Sequence, residues 1–171
     1  MKRLGVLRHA KSSWNDPGID DFNRPLNTRG WKDARRIGRE MKHRRMAFDI
    51  VLASTAARVR ETIDGIEEKF DFGAEIHFEP SIYLADVETL LSLVRALPDH
   101  VDAPLIVGHN PGIEQLLAAL THDDPHGLRS RIVGKYPTGA FALVKLKAER
   151  WMDTALGGGL IVELILPKEL D

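Results

Sequence analysis

The chain contains no cysteine. That absence excludes disulfides, thiolate zinc centres and cysteine nucleophiles, and with them the cysteine-dependent phosphatases and proteases. An excess of charge of one sign is missing too. Lys and Arg number 24 and Asp and Glu 25, a net charge of -1 with histidine neutral, so no whole-molecule field draws the protein to nucleic acid or anionic lipid. Long apolar runs are also lacking: residues 4–7 are broken by Arg8, and residues 160–166 contain Glu163. The first is shorter than the roughly 7–15 residues of an export signal, and neither approaches the roughly 18 residues of a membrane helix. A soluble, cytoplasmic protein is expected.

What is present suffices for a core. With 171 residues, 43% of them hydrophobic, the chain has the length of one domain of about 100–200 residues. Chains near 150 residues bury about 70% of their unfolded surface, enough to fold without staples. No repeat, low-complexity tract or linker interrupts it, so residues 1–171 are expected to form a single domain.

Periodicity gives alternating strands and helices. Residues 4–7 read as a buried strand that stops at Arg8-His9. Asn27 or Thr28 caps a helix to about residue 45, with Trp31, Ala34, Ile37, Gly38 and Met41 at helical spacing. Residues 49–53 form a second strand, and residues 56–70 a helix with Val59, Ile63, Ile66 and Phe70 on one face. A weak third strand at 75–78, a helix at 86–97, a fourth strand at 105–107 and a helix opened by Pro111 follow. This βαβαβαβα order predicts an α/β fold, a three-layer α/β/α sandwich around a mostly parallel sheet. Residues 140–146 and 160–166, linked through Gly157-Gly158-Gly159, read as antiparallel strands at its C-terminal edge.

Ligands of open parallel sheets bind outside the carboxyl ends of the strands. Here that edge collects Arg8 and His9, then Ser54 with Arg58 one turn later, then Gly108-His109-Asn110. Guanidinium groups present a planar, permanently charged fork to phosphate oxygens, and helix N-termini add backbone donors. Positive neighbours lower an imidazole pKa and keep at least one ring neutral, and a neutral ring is a nucleophile. The predicted chemistry is metal-independent phosphoryl transfer without a cofactor. His9 attacks phosphorus in line, Arg8, Arg58 and protonated His109 hold the oxygens, and water hydrolyses the phosphohistidine intermediate. A phosphate or sulfate ion is the simplest occupant of such a site.

Four separated motifs then become familiar together. Leu7-Arg8-His9-Ala10-Lys11-Ser12-Ser13-Trp14-Asn15, Arg24-Pro25-Leu26-Asn27-Thr28-Arg29-Gly30, Ser54-Thr55-Ala56-Ala57-Arg58 and Val107-Gly108-His109-Asn110-Pro111 resemble the histidine phosphatase, or phosphoglycerate-mutase-like, superfamily. Compact size and the second motif look most like its SixA-type phosphohistidine phosphatases. The resemblance implies a phosphoglycerate-mutase-like fold, His9 as nucleophile, a pocket of Arg8, Arg58 and His109, and contributions from Asn15 and Arg24. It also implies, as substrate, a phosphorylated protein such as a phosphotransfer domain.

Two positions depart from the family pattern. Ala10 replaces the glycine of an Arg-His-Gly signature, so the turn must tolerate a Cβ. Many relatives carry a glutamate acid after the third strand, and residues 79–86 offer no clean equivalent, leaving Asp86 or Glu88 as candidate general acids. Without one, a leaving group that needs little protonation is favoured, as in phosphohistidine.

Other features have plainer readings. Ser54 is a helix cap as readily as a phosphate ligand, and Thr62 reads as structural. The segment His122-Asp123-Asp124-Pro125-His126 has metal-compatible spacing but reads as a solvated loop, and no metal site is expected. Residues 24–45 hold nine Lys or Arg against Asp33 and Glu40. That run is a solvated face, a steering surface or a partner site, and without aromatic interleaving nucleic acid is disfavoured. A small phosphorylated metabolite as substrate, a catalytically silent phosphate-binding protein and a basic-helix adaptor stand as alternatives. A mutase is disfavoured by the shortness of the chain.

Overall fold

In a computed structural model that describes residues 1–170, the expected alternation closes into a six-stranded sheet. Its strands are β1 (Lys2–Arg8), β2 (Ile50–Ala53), β3 (Glu75–Phe78), β4 (Pro104–Gly108), β5 (Phe141–Leu146) and β6 (Gly159–Ile165). Their order is β3-β2-β4-β1-β5-β6. The first four pair in parallel, while β5 runs antiparallel to β1 and β6 antiparallel to β5. The antiparallel pair therefore forms the expected edge.

Both sheet faces are covered, which is why the central strands are apolar at successive positions rather than alternate ones. On one side Leu4, Val6, Ile106, Ala142 and Val144 pack with α3 (Val87–Arg95) and α4 (Gly112–Leu120). On the other, Leu7, Leu105, Val107 and Phe141 pack with α1 (Thr28–His43) and α2 (Ala57–Glu67). Gly5 sits where a Cβ would meet Phe48 at 2.9 Å and Leu105 at 3.0 Å. Neighbouring side chains fill the place of the missing one.

The differences from the sequence reading are local. β1 starts two residues earlier, at Lys2, because the buried ammonium is satisfied: it donates to the carbonyls of Asp99 (2.6 Å) and Val101 (2.9 Å) and to Asp102 (3.0 Å). A 3-10 turn at Asp21–Asn23 and the short α5 (Leu128–Ile132) were not expected, since neither carries a full apolar period. Asp124, within the histidine-bearing segment, accepts the backbone N–H groups of His126, Leu128 and Arg129 and so caps α5. Along the basic helix, Arg29 and Arg36 pair with Asp33, Arg35 with Glu68, and Arg44 with Glu40 and Glu163. Much of its charge is therefore matched internally. Among the described residues no helix is long and apolar enough to cross a membrane.

Candidate active site

Strand register brings the distant motifs together. Arg8 lies opposite Gly108 and Ala53 opposite Val107. Beyond the last pairs the ladder continues, with the His9 N–H on the Gly108 carbonyl (3.1 Å) and the Ser54 N–H on the Val107 carbonyl (3.0 Å). His9, Ser54 and His109 thus emerge side by side at the carboxyl edge, and α2 starts close enough to add Arg58. These residues meet in a cavity of about 370 Å³ whose walls include Arg8, His9, Arg24, Arg58 and His109. Ser54 stands behind it, its Oγ 2.7 Å from His109 Nε2.

The ring chemistry follows from the partners. His9 Nδ1 lies 2.7 Å from the Ala10 carbonyl. A carbonyl only accepts, so Nδ1 carries the proton and Nε2 keeps its lone pair. Ser54 Oγ accepts the Ala56 N–H at 3.2 Å. When its own proton goes to His109 Nε2, the His109 proton resides on Nδ1, a buried nitrogen with no partner. Burial first, then His109, Arg58 and Arg8, lowers the His9 pKa to about 3. Burial first, then Arg58, lowers His109 likewise to about 3, against an opposing contribution from Asp21. Without an anion both rings thus favour the neutral form, and the protonated His109 expected from the sequence belongs to the phosphoryl-bound site. An incoming phosphoryl anion reverses the sign of the local field and favours the cation.

Three guanidinium groups face the cavity. Arg8 donates to the Tyr136 carbonyl (2.9 Å). Arg58 donates to the Asp21 carbonyl (2.7 Å) and the Asp21 carboxylate (3.1 Å). Arg24 donates to Ser12 Oγ and the Asp21 carboxylate, and its guanidinium lies 3.7 Å over the Trp14 ring. The Nε of each is buried without a partner. Three guanidinium groups and two imidazoles around one cavity are the lining of a receptor for an oxyanion.

Asp21 belongs to this wall and was missed from sequence. Tyr83 donates its hydroxyl to the same carboxylate, and its ring meets His109 edge-on at 5.4 Å between centroids. Hydrogen bonding from Tyr83, then from Arg24 and Arg58, holds the Asp21 pKa at about 2. Only the i, i+3 spacing to Arg24 hints at Asp21 in the sequence.

Other expected residues fall elsewhere. Asn15 is exposed and outside the cavity wall, its N–H held by Ser13 Oγ (3.2 Å). The loop turns Trp14 to the wall instead, 77% exposed. Asp86 caps α3 through the Thr89 N–H (2.8 Å), and Glu88 lines a separate depression with Leu91 and Leu156. Neither lies among the residues lining the cavity, because the chain reverses at Leu84, which has φ 51, and carries both onto α3. Ala10 avoids positive φ and is fully buried, so its Cβ costs the turn nothing. Its N–H donates to Thr62 Oγ1 (3.0 Å), which donates to the Arg58 carbonyl (2.6 Å).

The profile of the histidine phosphatase superfamily (branch 1) matches residues 4–83. An uncharacterised protein of Mycobacterium leprae is 33% identical over 168 residues, 95% of this chain and 100% of its own length. A crystal structure bearing the name phosphohistidine phosphatase SixA, from Agrobacterium tumefaciens, superposes with a TM-score of 0.81 at 32% identity, covering 97% of this chain and 98% of that one. A protein histidine phosphatase SixA complexed with tungstate has the same fold, with a TM-score of 0.78 at 20% identity over 98% of each chain.

Proposed function

The chain belongs to the histidine phosphatase superfamily as a SixA-like phosphatase, and from that premise we propose that it hydrolyses phosphohistidine on a protein through a phospho-His9 intermediate. His9 Nε2 attacks phosphorus, the bond from phosphorus to the substrate imidazole breaks, and that electron pair returns to the departing nitrogen. Water then attacks phospho-His9, the new P–N bond breaks, and inorganic phosphate leaves. Arg8, Arg58, Arg24 and His109 hold the oxygens as charge redistributes, which is most of what phosphoryl transfer asks of a protein.

The observation that carries this reading is the convergence of the Arg8, Arg24 and Arg58 guanidinium groups and His109 on one cavity, beside a His9 ring whose Nε2 is free of a proton. Leaving-group chemistry favours phosphohistidine. The carboxylate in the cavity wall, Asp21, has a pKa of about 2 and carries no proton to donate at neutral pH. A site without a carboxylic acid handles a phosphoramidate more readily than an alkyl ester.

Rapid quench with a phosphohistidine-bearing protein tests it. An acid-labile, base-stable phosphoenzyme is expected in the wild type and is lost in His9→Ala. Turnover without such a species removes the covalent mechanism, and turnover of sugar phosphates in preference to the phosphohistidine protein removes the substrate.

A further inference from the structure

Beside the cavity lies a second recess of about 190 Å³ whose walls include Lys11, Arg29, Asp33, Thr138 and Lys168. Lys11 and Thr138 line both spaces, so the two adjoin. The carboxylate of Asp33 is already matched, accepting from Arg29 Nε and Arg36 NH1, each at 3.2 Å. Lys11 and Lys168 are exposed and have no side-chain partner among the described residues. Helix α1 also begins here, with no acidic residue in its first turn, and the positive end of its dipole adds to the same field. Two unmatched ammonium groups and the Asp33-paired guanidinium of Arg29 therefore gather beside the cavity, at the start of α1.

We propose that this recess is a subsite for a second anionic group, a carboxylate or phosphoryl, carried by the molecule whose phosphoryl group occupies the cavity. The inference deepens the phosphatase reading and rests on it. An acidic residue flanking the phosphorylated position of a protein meets the requirement, and so does the second acid group of a small phosphometabolite. Farther along α1, Arg35 pairs with Glu68 and Arg36 with Asp33.

Lys168 is the residue to change, because it lies outside the catalytic cavity. Wild type, Lys168→Ala and Lys168→Glu are compared on phosphohistidine peptides with acidic or neutral flanks, on phosphoserine and on para-nitrophenyl phosphate. Exposed charges attract one another only weakly through water. A several-fold rise in KM for the anionic substrates is therefore expected in Lys168→Ala and a larger one in Lys168→Glu, with para-nitrophenyl phosphate unchanged. A response of the acid-flanked peptide alone assigns the group to a protein; a response of phosphoserine alone assigns it to a metabolite. Calorimetric affinity for pyrophosphate relative to inorganic phosphate reads the subsite without turnover and should fall in Lys168→Glu. Unchanged KM for every doubly anionic substrate and an unchanged affinity ratio overturn the subsite, as does an equal shift on para-nitrophenyl phosphate. A wild type that binds pyrophosphate in preference to phosphate yet never cleaves phosphohistidine overturns the substrate reading alone.

Discussion

The imidazoles of His9 and His109, delivered by neighbouring parallel strands, lie 5.2 Å apart between ring centroids and are inclined at 55°. Each is buried, and each has guanidinium neighbours that resist its protonation. Burial, with the same cations that attract a phosphoryl group, thus favours the neutral form of both rings, and a neutral imidazole is the nucleophile that phosphoryl transfer needs.

This gives a pH dependence with a definite sign. With folded pKa values of about 3 against about 6.5 unfolded, the unfolded chain binds more protons between those limits. Stability therefore rises with pH through that window and is lost on acidification, by up to about 1.4 kcal/mol per pH unit for each histidine. Asp21, at about 2, stabilises above its unfolded pKa near 3.9 and loses that contribution below it. Imidazole NMR should show both rings neutral at pH 5, and melting temperature should decline from pH 6.5 downward. Added inorganic phosphate should move both titrations upward. Two rings titrating near 6.5 in the anion-free protein contradict this account.

Arg58→Lys tests the fork. The guanidinium reaches both the carbonyl and the carboxylate of Asp21 while lining the cavity; an ammonium is a point charge without that geometry. Loss of one preorganised donor from such a site costs about 100–1000-fold in kcat, so kcat/KM should fall at least a hundredfold. Melting temperature, measured alongside, should change little. A fall of less than tenfold shows that charge alone suffices.

The layers of the fold were legible because both-face burial writes itself into β1 and β4 as unbroken apolar runs and into α1 as a 3.6-residue stripe. His9, Arg58 and His109 were legible because strand ends are marked by the sudden arrival of polar residues. Asp21 was not: it sits in a 3-10 turn with no buried residue, and only tertiary contact with Arg58 and Tyr83 gives it meaning. Asp86 misled for the opposite reason. An acid at the start of an apolar helical period is chemically suited to a proton donor and equally to an N-cap, and the backbone Thr89 N–H claimed it.

Thr62→Val removes a bridge while preserving shape. The hydroxyl joins the backbone after the nucleophile to the carbonyl of Arg58, and valine leaves the buried Ala10 N–H unsatisfied. About 1–3 kcal/mol of stability should be lost in denaturant titrations. Turnover of the folded fraction should fall as well, and KM should rise as His9 and Arg58 lose their common anchor. A loss of stability with unaltered kinetics per folded molecule reduces Thr62 to packing alone.

Gly30→Ala separates positioning from packing. A Cβ at Gly30 would fall 2.1 Å from the Lys11 carbonyl oxygen, the same oxygen that accepts the Asn27 N–H at 3.0 Å. The N-terminus of α1 is thus docked backbone to backbone on the segment that follows His9. Alanine gains about 1 kcal/mol in helix propensity, but overpacking of this kind costs about 1–3 kcal/mol, and backbone cannot yield as a side-chain tip does. Gly38 is the control: its Cβ would meet the Ile66 carbonyl oxygen at 2.6 Å, a clash between α1 and the far end of α2. Both substitutions should lower the melting temperature. Only Gly30→Ala should lower kcat per folded molecule, because only there must the displaced backbone be the one that aims His9. Equal kinetic loss in the two variants would mean that a general loosening of α1, rather than the Lys11 contact, governs the site.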